Sequence, residues 1–169
     1  MNKPAHSTEE EKILILVRHA HRRTRQGRER DNGLSEKGVR QVARLRRYFR
    51  TAHEGLEGVF LSSPRRRCVE TIQPLARGRR GRVEISPLLL EEEEGESRAG
   101  LRRRVDEFCR WWADEAPLLV VACSHGDWIP LAVAELTGAR VVVRKAGLVE
   151  IRRIGGRARL YTLRQDFSG

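Results

Sequence analysis

Two uninterrupted apolar runs constrain the fold of this chain more than any other feature. Residues 12–17 read KILILV, and residues 118–123 read LLVVAC. Short, fully apolar runs are typical of strands buried on both faces, as in parallel sheets that are covered by helices. Each run ends abruptly at polar residues, Arg18-His19 after the first and Ser124-His125-Gly126 after the second. Ligands bind at the carboxyl ends of strands in such sheets, so these residues are candidates for a site.

The rest of the chain alternates between helical and extended patterns. Val39, Val42, Leu45 and Phe49 repeat at helical spacing behind Ser35, which is a plausible N-cap. Short strands are expected at residues 59–61 and 83–85, further helices after residues 64, 100 and 126, and a hairpin turn at residues 155–156. This order predicts an α/β three-layer sandwich with a mainly parallel central sheet, helices on both faces and an antiparallel edge strand.

Length and composition fit a single globular domain. The chain has 169 residues, of which 39% are hydrophobic and 34% are charged. Residues 1–11 are polar and are expected to form a flexible tail before one domain over residues 12–169. No apolar run approaches the roughly 20 residues of a membrane span, and the N-terminus lacks the apolar core of a signal peptide. We therefore expect a cytoplasmic protein without a membrane partner.

The cysteines and the net charge restrict the partners further. Cys68, Cys109 and Cys123 are odd in number and lack metal-site spacing, so we expect buried free thiols and no metal. The net charge is +11, and 30 of the 34 basic residues are arginine. A positive field favours encounters with anionic ligands. The basic clusters are spread along the chain without a nucleic-acid-binding motif, so a nucleic-acid partner is the weaker expectation.

Polar residues, mainly arginine, histidine and serine, follow three of the expected strands. These are Arg18-His19, residues 62–67 (SSPRRR) and Ser124-His125. The carboxyl ends of parallel strands point to the same side of a sheet, so these groups can converge. Two arginines and two histidines around one point can hold a tetrahedral dianion by charge-assisted hydrogen bonds. A histidine nitrogen there can also attack phosphorus.

Four segments in this order, between residue 13 and about residue 137, resemble the histidine phosphatase superfamily, which includes the cofactor-dependent phosphoglycerate mutases. LVRHA resembles the RHG motif, and DNGLSEKGVRQVARL from Asp31 resembles D-x-x-L-T-x-x-G-x-x-Q-A. LSSPRRRCVET is similar to S-S-P-x-x-R-A-x-Q-T and puts the second arginine at Arg67, while CSHGD puts the second histidine at His125. Ala20 replaces the commoner glycine, as it does in short bacterial members such as phosphohistidine phosphatases.

The resemblance implies a two-step mechanism that needs neither a metal nor another cofactor. His19 attacks phosphorus and forms a phosphohistidine, while Arg18, Arg67 and His125 bind the phosphate oxygens. Water then hydrolyses the phosphoenzyme. His19 and His125 are therefore the expected catalytic histidines.

An alcohol leaves poorly unless it is protonated, so an ester substrate requires an acid. The family commonly supplies a glutamate in a pattern like P-x-L-x-E, and alignment on Pro87 and Leu89 places this acid at Glu91. Glu92 is one residue away and stays open as the acid. A solvated acidic loop without a catalytic role is the third interpretation.

The segment His21-Arg22-Arg23 departs from the family, where many members carry a small acidic or hydroxyl residue. These arginines are either ordinary surface residues or a means of recognising a second anionic group on the substrate. Arg65 and Arg66, which precede Arg67 at the start of a helix, are expected to face solvent.

The sequence thus favours a phosphohydrolase that acts on a phosphorylated small molecule, a phosphomonoester, or on a phosphohistidine-bearing protein. One alternative is phosphoglycerate mutase-type phosphoryl transfer, which is less favoured because the chain has little sequence for a lid that excludes water. Two others are a phosphate-binding scaffold that no longer turns over and a basic nucleic-acid-binding protein without catalysis.

Overall fold

The computed structural model describes residues 10–167, and within them the chain forms six strands and four α-helices. Their bounds in chain order are β1 (Lys12–Arg18), α1 (Glu36–Phe49), β2 (Val59–Ser62), α2 (Arg66–Gly78), β3 (Val83–Ile85), α3 (Arg98–Asp114), β4 (Leu119–Ser124), α4 (Trp128–Thr137), β5 (Leu148–Ile154) and β6 (Arg157–Arg164). A short 3₁₀ helix, Pro87–Leu89, connects β3 to α3. Most of the tail expected over residues 1–11 lies outside the described residues.

The six strands form one mixed sheet in the order β3-β2-β4-β1-β5-β6. β1, β2, β3 and β4 run parallel to one another, whereas β5 is antiparallel to both of its neighbours, β1 and β6. The hairpin between β5 and β6 turns at Gly155 and Gly156, whose φ angles are 59° and 74°. Two successive positive φ angles suit the turn that matches strand twist, and glycine adopts them without strain. The predicted sandwich with an antiparallel edge is confirmed, and two strands form that edge.

Both faces of the sheet are covered by helices, which explains the uninterrupted apolar run of β1. Leu14 and Leu16 pack into a core with α3 and α4, while Ile15 and Val17 pack into a second core with α1 and α2. Successive side chains of a strand point to opposite faces, so a strand between two helix layers needs apolar residues at every position. Within residues 10–167 no helix is both long enough and apolar enough to cross a bilayer.

Helix α1 begins as predicted and buries Val42, Leu45 and Phe49 of its predicted apolar face, but not Val39. The Ser35 side chain accepts a hydrogen bond from the Gly38 backbone N–H at 3.2 Å and caps the helix. Val39, predicted for the apolar face, is 58% exposed, and Gly38 takes the buried position one residue earlier. A Cβ atom on Gly38 would lie 2.1 Å from the carbonyl oxygen of His21. This close approach reserves the position for glycine and turns Val39 towards solvent.

Candidate active site

The strand order brings the three polar strand ends together. β2, β4 and β1 are adjacent in the sheet, and their last residues pair as Ser62 with Cys123 and Arg18 with Ser124. The backbone N–H of His19 then donates to the carbonyl oxygen of Ser124 at 3.1 Å. The chain therefore leaves three neighbouring strands at one edge of the sheet, where the predicted site residues follow.

His19 is held as a neutral imidazole. It is 6% exposed, and its Nδ1 atom lies 2.8 Å from the carbonyl oxygen of Ala20. A carbonyl oxygen can only accept, so Nδ1 carries the proton and Nε2 keeps its lone pair. Burial above all lowers the pKa of His19 to about 3, against the opposing effect of the Ala20 hydrogen bond. The positive charges of Arg67 and Arg18 lower the pKa of His19 further.

His125 lies beside His19, with 5.3 Å between the ring centroids and 60° between the ring planes. Its Nε2 atom is 2.8 Å from the Ser63 hydroxyl oxygen, and its Nδ1 atom is 3.4 Å from Nη2 of Arg67. Burial lowers the pKa of His125, but contacts with Cys68 and Glu91 outweigh it and the pKa is raised overall. The two histidines therefore differ in character, since His19 resists protonation and His125 favours it.

Glu91 places a carboxylate among the cations of the site. Its Oε1 accepts from Nη2 of Arg67 at 2.7 Å and from Nε of Arg65 at 2.9 Å. Its Oε2 lies 2.8 Å from Nε2 of His125, although the aligned hydrogen bond of that nitrogen is the one to Ser63. Burial raises the pKa of Glu91, but His125 and Arg67 outweigh burial and hold it well below the usual range. Glu91 is therefore ionised in this structure.

Arg18 is the second arginine of the cluster, and its charge acts on His19. Its Nη1 donates to the carbonyl oxygen of Val143 at 2.8 Å, and a Cβ atom on Gly126 would lie 2.6 Å from its Cζ. Nε of Arg18 and Nε of Arg67 are both buried without a hydrogen-bond partner among the described residues. Unpaired guanidinium donors are costly to bury, so this arrangement suits a bound anion that accepts from them.

Glu92, the other candidate acid, points elsewhere. Its carboxylate lies 3.3 Å from Nη1 of Arg98, and its backbone N–H donates to Oδ2 of Asp127 at 2.8 Å. All five side chains predicted for the site thus share one cluster, namely Arg18, His19, Arg67, Glu91 and His125. Glu91 lies in this cluster, and the Glu92 carboxylate lies outside it beside Arg98.

Several contributors were not predicted from the sequence. Arg65, expected to face solvent, binds Glu91, and Ser63 binds His125. Thr71 accepts from the Ala20 N–H at 2.9 Å and donates to the Arg67 carbonyl oxygen at 2.7 Å, which links the segments of both arginine motifs. Thr71 stands in the same matched motif as Arg67, so its position was a signal. No comparable signal marked Arg65.

The Glu91 segment is anchored by Arg104 of α3. Its Nη1 donates to the carbonyl oxygen of Leu90 at 2.9 Å, and its Nη2 donates to the carbonyl oxygen of Glu91 at 3.0 Å. Nη2 and Nε also bind the Glu96 carboxylate at 2.6 Å and 2.8 Å. One guanidinium therefore fixes the backbone on which the Glu91 side chain is mounted.

Comparisons with known proteins agree with this architecture. Among solved structures, a candidate alpha-ribazole-5'-phosphate phosphatase from Escherichia coli superposes with a TM-score of 0.74 at 18% identity, over 90% of this chain and 96% of that one. The mycobacterial glucosyl-3-phosphoglycerate phosphatase gives 0.70 at 19% identity, over 92% and 100%. The candidate phosphohistidine phosphatase SixA from Agrobacterium tumefaciens gives 0.70 at 17% identity, over 90% and 96%.

These identities are low, so the superpositions establish the fold alone. No curated protein sequence matches the chain significantly. The sequence model of the histidine phosphatase superfamily (branch 1) matches residues 14–93, a segment that includes Arg18, His19, Arg67 and Glu91. Over this segment, a little under half of its length, the chain is similar to the histidine phosphatase superfamily.

Proposed function

We propose that the protein is a metal-independent phosphohydrolase that works through a covalent phosphohistidine on His19. The observation that carries this proposal is the hydrogen bond from Nδ1 of His19 to the Ala20 carbonyl oxygen, 2.8 Å long. It leaves the lone pair on Nε2 in a pocket of cations. With its pKa lowered to about 3, His19 needs no base to become a nucleophile at neutral pH.

Arg18, Arg67 and His125 bind the phosphoryl group in this proposal. All three lie close enough to His19 to lower its pKa, and the Nε atoms of Arg18 and Arg67, which lack a partner among the described residues, can each donate to an oxygen. Glu91 contacts Arg67 and His125, two of the groups that bind the phosphate in this proposal. The incoming phosphate displaces this carboxylate, and preorganised donors then stabilise the charge that spreads over the transferring oxygens.

The first step transfers the phosphoryl group to the enzyme. The Nε2 lone pair forms a bond to phosphorus while the bond from phosphorus to the leaving atom breaks, and the electron pair departs with that atom. A carboxylate beside a phosphate dianion has a raised pKa, because like charges disfavour ionisation. Glu91 therefore binds a proton from solvent once it is displaced, and it gives this proton to an alcohol leaving group.

The second step restores the enzyme. A water oxygen forms a bond to phosphorus, the Nε2–phosphorus bond breaks, and its electron pair returns to His19. The proton that water loses passes to the Glu91 carboxylate, and inorganic phosphate leaves. The same residues therefore serve both steps, with Glu91 acting as acid and then as base.

The substrate is a phosphomonoester or a phosphohistidine-bearing protein. The similar structures include both kinds, since two are phosphatases named for small phosphate esters and one is a candidate phosphohistidine phosphatase. A phosphoramidate leaves more readily without an acid than an alkoxide does. The position of Glu91 within the cluster therefore favours the ester.

A matched pair of histidine variants tests the proposal. Wild type, His19→Asn and His53→Asn are assayed in the presence of a chelator against phosphorylated metabolites and a phosphohistidine protein. In a second experiment, the substrate carries a labelled phosphoryl group, and a rapid quench without acid preserves any labelled phosphoenzyme. His53 binds Glu150 through Nε2 at 3.1 Å and takes no part in the cluster. We expect turnover and a labelled histidine in wild type and His53→Asn but not in His19→Asn. Turnover that survives in His19→Asn, or that needs a divalent metal, overturns the proposal.

A further inference from the structure

The segment between β1 and α1 forms a well-anchored loop, residues 22–34, which we call the basic loop. Arg22 and Leu34 form a bridge at its base, and the Arg23 N–H donates to the Gly33 carbonyl oxygen at 3.0 Å. The buried Asn32 side chain donates to the Gly27 carbonyl oxygen at 2.7 Å and closes the loop from within. The loop therefore has a defined shape that can present side chains at fixed positions.

The cations of this region form no ion pair with the carboxylates of residues 10–167. The basic loop contributes Arg22, Arg23, Arg25, Arg28 and Arg30, and Lys37 and Lys145 lie nearby. Within the part of the chain that is described, none of these seven side chains lies within 4.0 Å of a carboxylate oxygen. Crowded like charges disfavour the folded state unless an anion joins them.

Electrostatics at Lys145 agree with this crowding. Lys145 is half-buried, and its backbone neighbour Ala146 donates to the Arg18 carbonyl oxygen at 3.1 Å. Burial lowers the pKa of Lys145, and the positive charges of Arg18 and Arg22 lower it further. The positive field of the region therefore extends from the basic loop to the edge of the catalytic cluster.

A cavity of about 770 Å³ lies between the basic loop and α1. Its lining includes seven cationic side chains and two carboxylates. Asp31, one of the two, lies 4.0 Å from Nη1 of Arg67, which places the cavity next to the phosphate-binding cluster. This volume falls within the range typical of small-molecule sites, about 300–1,000 Å³. The cavity is therefore better suited to a small ligand than to the surface of a macromolecule.

We infer that this cavity binds a second anionic group, a phosphate or a carboxylate, of a substrate whose reacting phosphate lies at His19. The inference rests on the proposed function, because it assigns the first anion to the catalytic cluster. Arg22 connects the two sites, since it lines the cavity and its pKa is lowered first by burial and then by the charge of Arg67. The preferred substrates are therefore doubly anionic small molecules, in which two separate acidic groups engage the two sites.

Binding of non-hydrolysable phosphonates tests this inference independently of turnover. Calorimetric titrations compare alkylphosphonates of two to six carbons with the α,ω-bisphosphonates and ω-carboxyalkylphosphonates of the same lengths. We expect at least one doubly anionic ligand to bind wild type about tenfold or more tightly than its singly anionic counterpart, because the second group gains charge-assisted hydrogen bonds. The two series distinguish a phosphate from a carboxylate as the second group.

Two charge-neutralising variants and a control complete the experiment. Arg22→Gln/Arg25→Gln should remove the preference, and Arg25→Gln/Lys37→Gln should reduce it while keeping the hydrogen bond of 3.0 Å from Nη1 of Arg22 to the Arg28 carbonyl oxygen. Arg102→Gln/Arg110→Gln makes the same charge change on exposed positions of α3, across the sheet, and should keep the preference.

The outcomes separate the two proposals. Binding of monophosphonates to wild type but not to Arg67→Gln, without any gain from a second anionic group, overturns the second-anion inference alone. A gain that persists unchanged in both loop variants overturns it as well. Failure of every phosphonate to bind wild type contradicts the phosphate-binding cluster itself, and with it the proposed function.

Discussion

The Glu91 carboxylate and the Arg67 guanidinium are joined by a hydrogen bond of 2.7 Å between Oε1 and Nη2, inside the cluster that also holds both histidines. An ionised pair that is mostly withdrawn from water is stable only while both partners stay together. In the proposed function, a substrate phosphate therefore competes with Glu91 for the same donors. The Glu91 carboxylate offsets part of the positive charge of the cluster, and in the proposed mechanism its displacement prepares it to donate a proton.

Glu91→Gln should separate phosphate binding from catalysis. Removing the negative charge relieves competition at Arg67, so inorganic phosphate should inhibit the variant about tenfold more tightly. The amide cannot donate a proton to an alkoxide, so kcat for an alkyl phosphate should fall about 10²–10⁴-fold. Steady-state assays with phosphate as inhibitor measure both effects.

The leaving group provides the control for this variant. A nitrophenolate departs without protonation, so p-nitrophenyl phosphate should lose much less activity than an alkyl phosphate. Glu84→Gln makes the same change at an exposed position of β3 and should alter neither value. Equal losses for both esters would show that Glu91 does not act as the acid.

The protonation of His19 should make stability depend on pH. Its pKa is about 3 in the folded protein, whereas an unfolded histidine titrates near 6.5. Between these values the unfolded chain binds a proton that the folded protein refuses, so this contribution to stability is present above the unfolded pKa and falls as the pH drops towards 3. Relative to His19→Asn, wild type should lose about 2–3 kcal/mol of unfolding free energy between pH 7 and pH 4.5.

Urea unfolding of both proteins at several pH values measures this difference, because other titrating groups are common to the two. Proton NMR offers a second readout, in which the His19 ring resonances should not titrate between pH 5 and pH 8. Parallel stability curves for wild type and His19→Asn, or a His19 titration near pH 6.5, would contradict the neutral nucleophile.

The hydrophobic patterns of the sequence predicted the strands and the fold. The features that they did not predict depend on contacts between residues that are far apart in the chain. The run at β1 predicted a strand because burial on both faces demands apolar residues at each position, and the two strand-end histidines followed from it. Val39 was misplaced because the carbonyl oxygen of His21 requires glycine at position 38, a constraint that periodicity does not contain. Arg65 was missed for a similar reason, since its partner Glu91 is 26 residues away in the chain.

Gly126→Ala should weaken phosphate binding while leaving the fold intact. The added Cβ would lie 2.6 Å from Cζ of Arg18, so the guanidinium must move. The guanidinium group is at the end of the long Arg18 side chain and can shift without disturbing the core. The unfolding free energy should therefore change by about 1 kcal/mol or less. The KM for any phosphate ester should rise about tenfold with the loss of a charge-assisted contact.

Gly78→Ala is the matched control, because its added Cβ would meet nothing closer than Nε of Arg46 at 3.9 Å. It should keep the wild-type KM. If neither KM nor kcat changed in Gly126→Ala, Arg18 would not contact the substrate. A fall in kcat alone would assign Arg18 to the transition state instead.

Arg104→Lys tests whether a residue remote from the substrate positions Glu91. Lysine keeps the charge, but its single ammonium cannot reproduce the planar set of donors that binds the Leu90 and Glu91 carbonyl oxygens and the Glu96 carboxylate. We expect a loss of about 1–2 kcal/mol in unfolding free energy from the missing hydrogen bonds. Looser placement of Glu91 should also lower kcat for alkyl phosphates about tenfold, with a smaller effect on p-nitrophenyl phosphate.

The leaving-group dependence distinguishes positioning from simple destabilisation, because a partly unfolded enzyme loses activity equally towards both esters. Arg110→Lys, on the exposed side of the same helix, should behave as wild type with both substrates. If Arg104→Lys reduced the two activities by the same factor, Arg104 would have only a structural role. If it changed neither, the Glu91 segment would keep its position without the guanidinium, and the Asp127 hydrogen bond to the Glu92 N–H would then be its main anchor.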